Sequence, residues 1–207
     1  MKTVNKKLLA VAVAGVLGMG SVSAMAEDGV SANVGFTSDY AWRGVTQNND
    51  QPAIQGGFDY AKGPASVGIW GSSLDTNGTE VDLYGAYSFG AVTVGAIYYY
   101  YPSGGSFYEA NVGGDLGPVS LMYSYDPDNK TNYLEAGYSV DIASGVSLDL
   151  HVGNGDSYQT ASGSNATDYS VGVSGAYKGF DLSLAYVKSD AAADDKSKAI
   201  FAVTKSM

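Results

Sequence analysis

The stretch Val-Ser-Leu-Asp-Leu-His-Val at residues 146–152 alternates strictly between apolar and polar side chains. Successive side chains of a β-strand point to opposite faces, so this order places the valines and leucines on one face and Ser147, Asp149 and His151 on the other. The same period of two recurs from residue 30 to the C-terminus, and no segment sustains the 3.6-residue period of an amphipathic helix. The pattern predicts an all-β protein with twelve strands.

The first predicted strand runs over residues 30–42 and carries Tyr40 and Trp42 on its apolar face. Two other predicted strands differ from this simple pattern. In residues 65–73 and 198–206, apolar side chains occur at both odd and even positions. Alternation therefore does not decide which face of these two strands is apolar.

Short connections alternate with longer polar ones. The short ones are residues 62–64, 90–91, 116–118, 143–145 and 178–179, and the longer ones are residues 44–52, 75–79, 102–106, 126–131, 154–167 and 189–197. Outer-membrane barrels sort their connections in this way, with short periplasmic turns and longer external loops. An even number of strands would also leave both ends of the barrel on the periplasmic side.

Composition argues against several classes of function. The 207 residues suit one domain, and the lack of cysteine excludes disulfides and thiolate metal sites. With His151 as the single histidine, neither a histidine metal cluster nor a His-dependent triad is expected. The formal charge of −10 argues against nucleic-acid binding, which needs a basic surface. Common hydrolase, phosphate-loop and zinc-protease motifs are also absent, so we expect no enzyme, cofactor or metal site.

The first 26 residues have the three parts of a secretory signal peptide. Three lysines precede an apolar and glycine run at residues 8–19, and residues 24–26 read Ala-Met-Ala, a small-residue cleavage site. The apolar run is shorter than the roughly 20 residues that a transmembrane helix needs. We expect residues 1–26 to be removed on export and residues 27–207 to form a barrel.

The polar face distinguishes a membrane barrel from a soluble one. A membrane barrel turns its apolar face to lipid and its polar face to the lumen, whereas a soluble barrel does the reverse. Here the polar positions hold Gly, Ser and Thr with acids and almost no lysine, unlike the mixed charges of a soluble surface. Nine strand acids fall on this face: Asp39, Asp59, Glu80, Asp82, Glu109, Glu135, Asp149, Asp168 and Asp181. We therefore expect an antiparallel transmembrane β-barrel.

Aromatic residues gather near both ends of the predicted strands, as two girdles at the membrane interfaces would require. Those nearest the long loops are Tyr40, Trp42, Trp70, Tyr98, Tyr99, Tyr100, Tyr101, Phe107, Tyr108, Tyr123, Tyr125, Tyr133, Tyr169 and Tyr186. Those nearest the short turns are Tyr60, Tyr87, Phe89, Tyr138, Tyr177 and Phe180.

Residues 37–47 read Thr-Ser-Asp-Tyr-Ala-Trp-Arg-Gly-Val-Thr-Gln, and residues 52–60 read Pro-Ala-Ile-Gln-Gly-Gly-Phe-Asp-Tyr. This segment resembles the N-terminal signature of the TorF family of porins, also called the Gcw_chp family. The resemblance extends to the closing strand at residues 200–206. Its motif positions are Ser38, Asp39, Tyr40, Trp42, Arg43, Gly44 and Gln47. It implies a proteobacterial outer-membrane porin without catalytic residues or a defined substrate.

A barrel of this size would enclose a narrow water-filled pore, because about 8 strands are filled by side chains and roughly 16–18 leave an open channel. An acidic wall would attract cations and discourage anions. The residues expected to line the pore or set its selectivity are Asp39, Arg43, Gln55, Asp59, Glu80, Asp82, Glu109, Glu135, Asp149, His151, Asp168 and Asp181.

Arg43 is the only arginine of the chain, and the alternation places it inward, close to Asp39. Two interpretations stay open. Arg43 could be a constriction residue that opposes the acids and sets selectivity. It could instead form an ion pair that rigidifies the first strand and anchors the loop at residues 44–52.

The leading functional hypothesis is passive diffusion of small hydrophilic solutes or ions through an outer-membrane pore. The alternatives are a plugged barrel that works through its external loops, a membrane enzyme acting on lipid, and a soluble periplasmic binding barrel. The expected partners are outer-membrane lipid, the barrel-assembly machinery, periplasmic chaperones and the solutes themselves, with no nucleic acid.

Overall fold

The computed structural model describes residues 28–75, 78–156, 165–191 and 196–207. The predicted signal peptide and parts of three long loops lie outside these residues. The described residues form fourteen strands: β1 (Gly29–Thr37), β2 (Ala41–Trp42), β3 (Val45–Thr46), β4 (Ala53–Lys62), β5 (Ala65–Ser73), β6 (Thr79–Phe89), β7 (Val92–Tyr101), β8 (Gly105–Leu116), β9 (Val119–Asp126), β10 (Thr131–Ala143), β11 (Val146–Asp156), β12 (Asn165–Tyr177), β13 (Phe180–Ser189) and β14 (Ser197–Ser206).

Twelve of these strands, β1 and β4 to β14, form a closed antiparallel barrel, which confirms the predicted fold class. Each strand pairs with its neighbours in sequence, and β1 closes the ring against β14. The seam continues to the last residue, since the backbone N–H groups of Ala32 and Met207 each donate to the other residue's carbonyl oxygen. Closure leaves none of the twelve described barrel strands as an edge strand. No helix in the described part of the chain is long and apolar enough to cross a membrane.

The two faces of the barrel wall have opposite character. Large apolar side chains are exposed on the outside, and the predicted strand acids lie on the inside. The strand at residues 65–73 turns Val67 and Ile69 outward and buries Trp70 inside. The last strand exposes Phe201 and buries Ile200 completely. The structure thus decides both orientations that alternation left open.

The first strand is shorter than predicted. It ends at Thr37 instead of continuing to residue 42, and the chain then turns into the lumen. There β2 and β3 pair with each other as a separate two-stranded sheet. We call residues 38–52 the plug hairpin. Tyr40 and Trp42 belong to it and are 4% and 5% exposed, so the prediction that they face outward is wrong.

The predicted aromatic girdle beside the long loops is only partly correct. Seven of its members are exposed on the outer surface: Tyr98, Tyr100, Tyr108, Tyr123, Tyr125, Tyr169 and Tyr186. The other seven lie inside: Tyr40, Trp42, Trp70, Tyr99, Tyr101, Phe107 and Tyr133. The predicted set beside the short turns is exposed throughout. The aromatic residues therefore also fill the lumen at the long-loop end.

Candidate functional site in the lumen

The tip of the plug hairpin is a two-residue turn formed by Arg43 and Gly44. Both residues have positive φ, 50° and 76°, as tight hairpin turns between paired strands require. The hydroxyl of Thr46 donates to Asp39 Oδ1 at 2.7 Å, and the N–H of Gln47 donates to the carbonyl of Tyr40 at 2.7 Å. The hairpin is therefore held by its own hydrogen bonds.

The base of the hairpin is fastened to the barrel wall. Ser38 donates its N–H to the carbonyl of Phe201 at 2.8 Å, and the N–H of Phe201 donates to Ser38 Oγ at 2.9 Å. Ala41 packs in a buried apolar cluster with Val187 and Ile200 from β13 and β14. The motif positions Ser38, Asp39, Tyr40, Trp42, Arg43, Gly44 and Gln47 all lie in this hairpin.

The other side of the hairpin packs on a buried aromatic cluster formed mainly by Tyr40, Trp42, Trp70, Tyr99 and Phe107. Trp42 meets Tyr99 edge-on at 5.9 Å between ring centroids, and Tyr99 stacks on Phe107 at 4.5 Å. Tyr99 is in β7, whereas the partners of Ala41 include β13, six positions away in the ring of twelve strands. Since neighbouring residues Ala41 and Trp42 contact opposite walls, the hairpin crosses the lumen.

Arg43 forms the strongest polar contact between hairpin and wall. Its Nη1 and Nη2 donate to Oε1 and Oε2 of Glu109, both at 2.9 Å. The guanidinium lies over the rings of Trp42 at 4.3 Å and Tyr133 at 4.1 Å. Burial opposes the charged form of Arg43, but the Glu109 carboxylate together with Tyr99 and Tyr133 more than compensates and raises the pKa of Arg43. The guanidinium therefore stays charged inside the lumen.

This contact corrects the expected position of Arg43. Its ion-pair partner is Glu109, which is 66 residues away in sequence, and not Asp39. The carboxylate of Asp39 instead receives the Thr46 hydroxyl within the hairpin. The structure thus supports an ion pair that anchors the loop, but the pair joins the loop to the far wall and does not rigidify the first strand.

Beside Arg43 lies a second polar network. The hydroxyl of Tyr133 donates to Asp168 Oδ2 at 2.7 Å. His151 Nε2 lies 3.0 Å from Asp168 Oδ1 and 3.2 Å from the Tyr133 hydroxyl. His151 Nδ1 is 3.6 Å from Glu135 Oε2, so the imidazole lies between two carboxylates. Together with Arg43 and Glu109, these residues form a continuous charged belt at the plug.

A further pair of acids is buried behind the aromatic cluster. Glu80 Oε1 accepts a hydrogen bond from the Tyr101 hydroxyl at 2.8 Å. The Asp82 side chain is fully buried, and neither of its carboxylate oxygens has a hydrogen-bond partner among the described residues. Gln55 lies on the neighbouring wall and donates to Ser72 Oγ at 3.3 Å.

The short-turn half of the lumen is lined by smaller polar groups. Asp149 accepts hydrogen bonds from Ser139 and Ser174, both at 2.6 Å. Asp59 accepts from the Tyr84 hydroxyl, and Asp181 is half-buried on the same inner face. All predicted site residues are thus on the lumen side. The structure brings most of them together at the plug and keeps these three acids apart from it.

Sequence reasoning missed the lumenal role of Trp70, Phe107 and Tyr133. The signal was available, because Phe107 and Tyr133 each precede an inward acid by two residues. A small cavity of about 20 Å³, space for one or two waters, lies between the plug and the wall. It is lined by Trp42, Arg43, Ile97, Tyr99, Glu109, Asn111, Met122, Ser124, Tyr133 and Glu135. Among the described residues, no group of three or more His, Cys, Asp or Glu side chains is arranged to hold a metal.

Comparison with known proteins agrees with this architecture. The family model Gcw_chp, described as a bacterial protein of unknown function, matches residues 22–206. The crystal structure of the Acinetobacter baumannii outer membrane protein Omp33 is similar at a TM-score of 0.56 and 10% identity, over 89% of this chain and 100% of that one. The NanC porin is similar at a TM-score of 0.52 and 12% identity, over 85% of this chain and 98% of that one. No curated protein matches the sequence. At these identities the structural likeness concerns the fold.

Proposed function

Because the chain belongs to the Gcw_chp family of bacterial proteins of unknown function, and because it folds as a closed barrel with an apolar outside and an acidic lumen, we propose that it is an outer-membrane channel. It conducts small hydrophilic solutes or ions by passive diffusion and favours cations. The resemblance to the TorF porins and the fold shared with the NanC porin support this proposal.

The observation that carries the proposal is the inverted distribution of side chains. Apolar residues such as Leu83 and Val171 are about half exposed on the outer surface, while Glu80 and Glu109 are buried inside. A surface this apolar is unfavourable in water and favourable in lipid. A closed barrel also satisfies its backbone hydrogen bonds internally, which crossing a bilayer requires.

The proposed orientation follows from the loops. The short turns and both ends of the barrel face the periplasm, and the plug hairpin lies near the external mouth. A cleaved signal peptide, periplasmic chaperones and the barrel-assembly machinery would bring the chain to the outer membrane. Ions would pass between the plug and the acidic wall, where the potential is negative.

Reconstitution in planar lipid bilayers tests the channel. We expect small single-channel currents and a reversal potential in a KCl gradient that indicates cation preference. Folding is checked independently by the heat-dependent migration of the barrel on gels. Folded protein without currents, or with anion preference, would contradict the proposal.

A second candidate function is a closed barrel that works through its external loops. The specific observation in its favour is that the plug hairpin crosses the lumen and is fixed by a buried ion pair and an aromatic cluster. Absence of current from well-folded protein, also after removal of the Arg43 contact, would favour this alternative.

A further inference from the structure

We propose that Glu109, Tyr99 and Tyr133 form a binding site for small organic cations that carry a guanidinium group, and that the chain's own Arg43 occupies this site at rest. The proposal deepens the channel function by naming a class of solute. Binding itself can be measured without any current, so the two proposals fail separately.

The walls of the site belong to the barrel and not to the hairpin. Tyr99, Glu109 and Tyr133 come from β7, β8 and β10, and each is at most 3% exposed. The Tyr99 hydroxyl donates to Glu109 Oε2 at 3.2 Å, and Asp168 holds the hydroxyl of Tyr133. The residues of the site are therefore fixed on barrel strands, whereas Arg43, which fills the site, lies in the two-residue turn of the hairpin.

The geometry of the site selects a planar, forked cation. Glu109 accepts two parallel N–H bonds through its two oxygens, which a guanidinium can donate and a sodium ion cannot. The ring of Tyr133 lies 4.1 Å from the guanidinium carbon, a cation–π contact that favours a flat cation over its face. A primary ammonium would satisfy the charge but not the second parallel hydrogen bond.

The surroundings leave room and negative charge for more than a guanidinium. The small cavity next to Arg43 is also lined by Asn111, Ser124 and Glu135. Glu109 pairs with the guanidinium, Glu135 lines the same cavity, and His151 lies between Glu135 and Asp168. A solute that carries a second cationic or hydrogen-bonding group could therefore place it beside Glu135.

Competition between solute and Arg43 has a consequence for the plug. Both need the Glu109 carboxylate, so a bound solute releases Arg43 from the wall. The hairpin then keeps its base contacts at Ser38 but loses its main polar contact at the tip. The solute that the site recognises would thus also loosen the plug.

Titration of variants in detergent tests the site. Arg43→Ala should empty it, and guanidinium chloride or ethylguanidinium at millimolar concentration should then bind saturably. Fluorescence of Trp42, next to the site, reports binding, with sodium and methylammonium chloride at equal ionic strength as reference salts. Because Trp70 also emits, the titrations are repeated in a Trp70→Phe background.

Three further proteins make the comparison specific. Wild type, whose site is filled by Arg43, should have an affinity for guanidinium at least about tenfold lower than that of Arg43→Ala. The affinity of Arg43→Ala/Glu109→Gln should be reduced by at least the same factor. Arg43→Ala/Asp115→Asn is the matched control, because it removes the same charge from the same face of β8, close to the short turn. It should bind like Arg43→Ala.

Equal responses in wild type and Arg43→Ala, or unchanged binding after Glu109→Gln, would overturn the proposal. Arg43→Lys keeps the charge and loses the fork, so guanidinium should compete with it more readily than with wild-type Arg43. If Arg43→Ala does not fold into a barrel, the comparison of Arg43→Lys with wild type tests the site instead. Saturable binding of guanidinium without any bilayer current would contradict the proposed channel function but not the proposed binding site.

Discussion

Gly44 lies against Asp168 so closely that a Cβ atom added to Gly44 would sit 2.7 Å from the Cβ of Asp168. The same added atom would lie 2.8 Å from the Cβ of Ser189. Gly44 also has a φ of 76°, where other residues are strained. The tip of the plug hairpin thus touches β12 and β13 and accommodates only glycine.

Gly44→Ala should therefore displace the plug while the barrel still folds. An alanine at this positive φ is strained by about 1 kcal/mol. Its Cβ would also clash with the Cβ atoms of Asp168 and Ser189, so the hairpin tip must move away from the wall. We expect a larger single-channel conductance than in wild type. Gly90→Ala is the control, because Gly90 has a φ of 68° and nothing within 4 Å of an added Cβ. Equal conductance of Gly44→Ala and Gly90→Ala would contradict the close packing of Gly44 against Asp168 and Ser189.

Arg43 and Glu109 should show strong coupling in a double-mutant cycle. Arg43→Ala and Glu109→Gln each leave a buried charge without its main partner, whereas the double variant removes both. The occupancy of the low-conductance state, read from single-channel recordings, gives the free energy of plug closure for each protein. We expect a coupling energy of about 1–3 kcal/mol. Additive effects of the two substitutions would mean that the pair does not hold the plug.

Arginine placed on the outer face should destabilise the barrel in lipid. Val171, in the middle of β12, is exposed on the outside, and Ser174 lies on the inside three residues later. Val171→Arg should cost about 2–4 kcal/mol in folding free energy, because a charge near the bilayer midplane is unfavourable. Ser174→Arg, near Asp149, should cost less. Urea titration of folding into liposomes measures both, and equal costs would argue against lipid on the outer face.

Neutralising an acid in the short-turn half of the lumen should reduce cation preference. Asp149 faces the lumen away from the plug, where Ser139 and Ser174 bind its two oxygens. Asp149→Asn should shift the reversal potential in a KCl gradient toward zero, because less negative potential remains along the wall. Asp128→Asn, in the exposed turn after β9, serves as the control. A shift of the same size in the control would indicate a general surface-charge effect.

The Arg43 contact should resist alkaline pH. The pKa of Arg43 is raised in the folded protein, because Glu109, Tyr99 and Tyr133 together outweigh the opposing effect of burial. A raised pKa means that the stabilisation is present below the unfolded pKa and is lost only as pH rises through the higher folded value. Closed-state conductance should thus stay constant between pH 7 and about pH 10. Arg43→Lys should lose closure at a lower pH than wild type does, since lysine titrates near pH 10.4 in water, about two units below arginine. An equal rise of the closed-state conductance with pH in wild type and Arg43→Lys would show that a group other than residue 43 titrates.

Alternation alone predicted the barrel wall. In β11 the order of residues 146–152 already assigns Asp149 and His151 to the lumen, since side-chain direction in a strand depends only on odd or even position. The lengths of the connections could also be read from local sequence, and all five short turns occur where predicted. These features could be recognised because each depends on residues close together in the chain.

The plug hairpin could not be predicted without the structure of the closed barrel. Residues 30–42 continue the alternation with Ser38 as the one polar residue at an apolar position, and a single serine does not show that the strand ends at Thr37. Tyr40 and Trp42 turn inward because Trp70, Tyr99 and Phe107, far away in sequence, form an apolar surface inside the lumen. The pairing of Arg43 with Glu109 likewise exists only once β8 has curved around to face the hairpin. Periodicity specifies which way a side chain points from its own strand, but only ring closure brings distant inward side chains within contact distance.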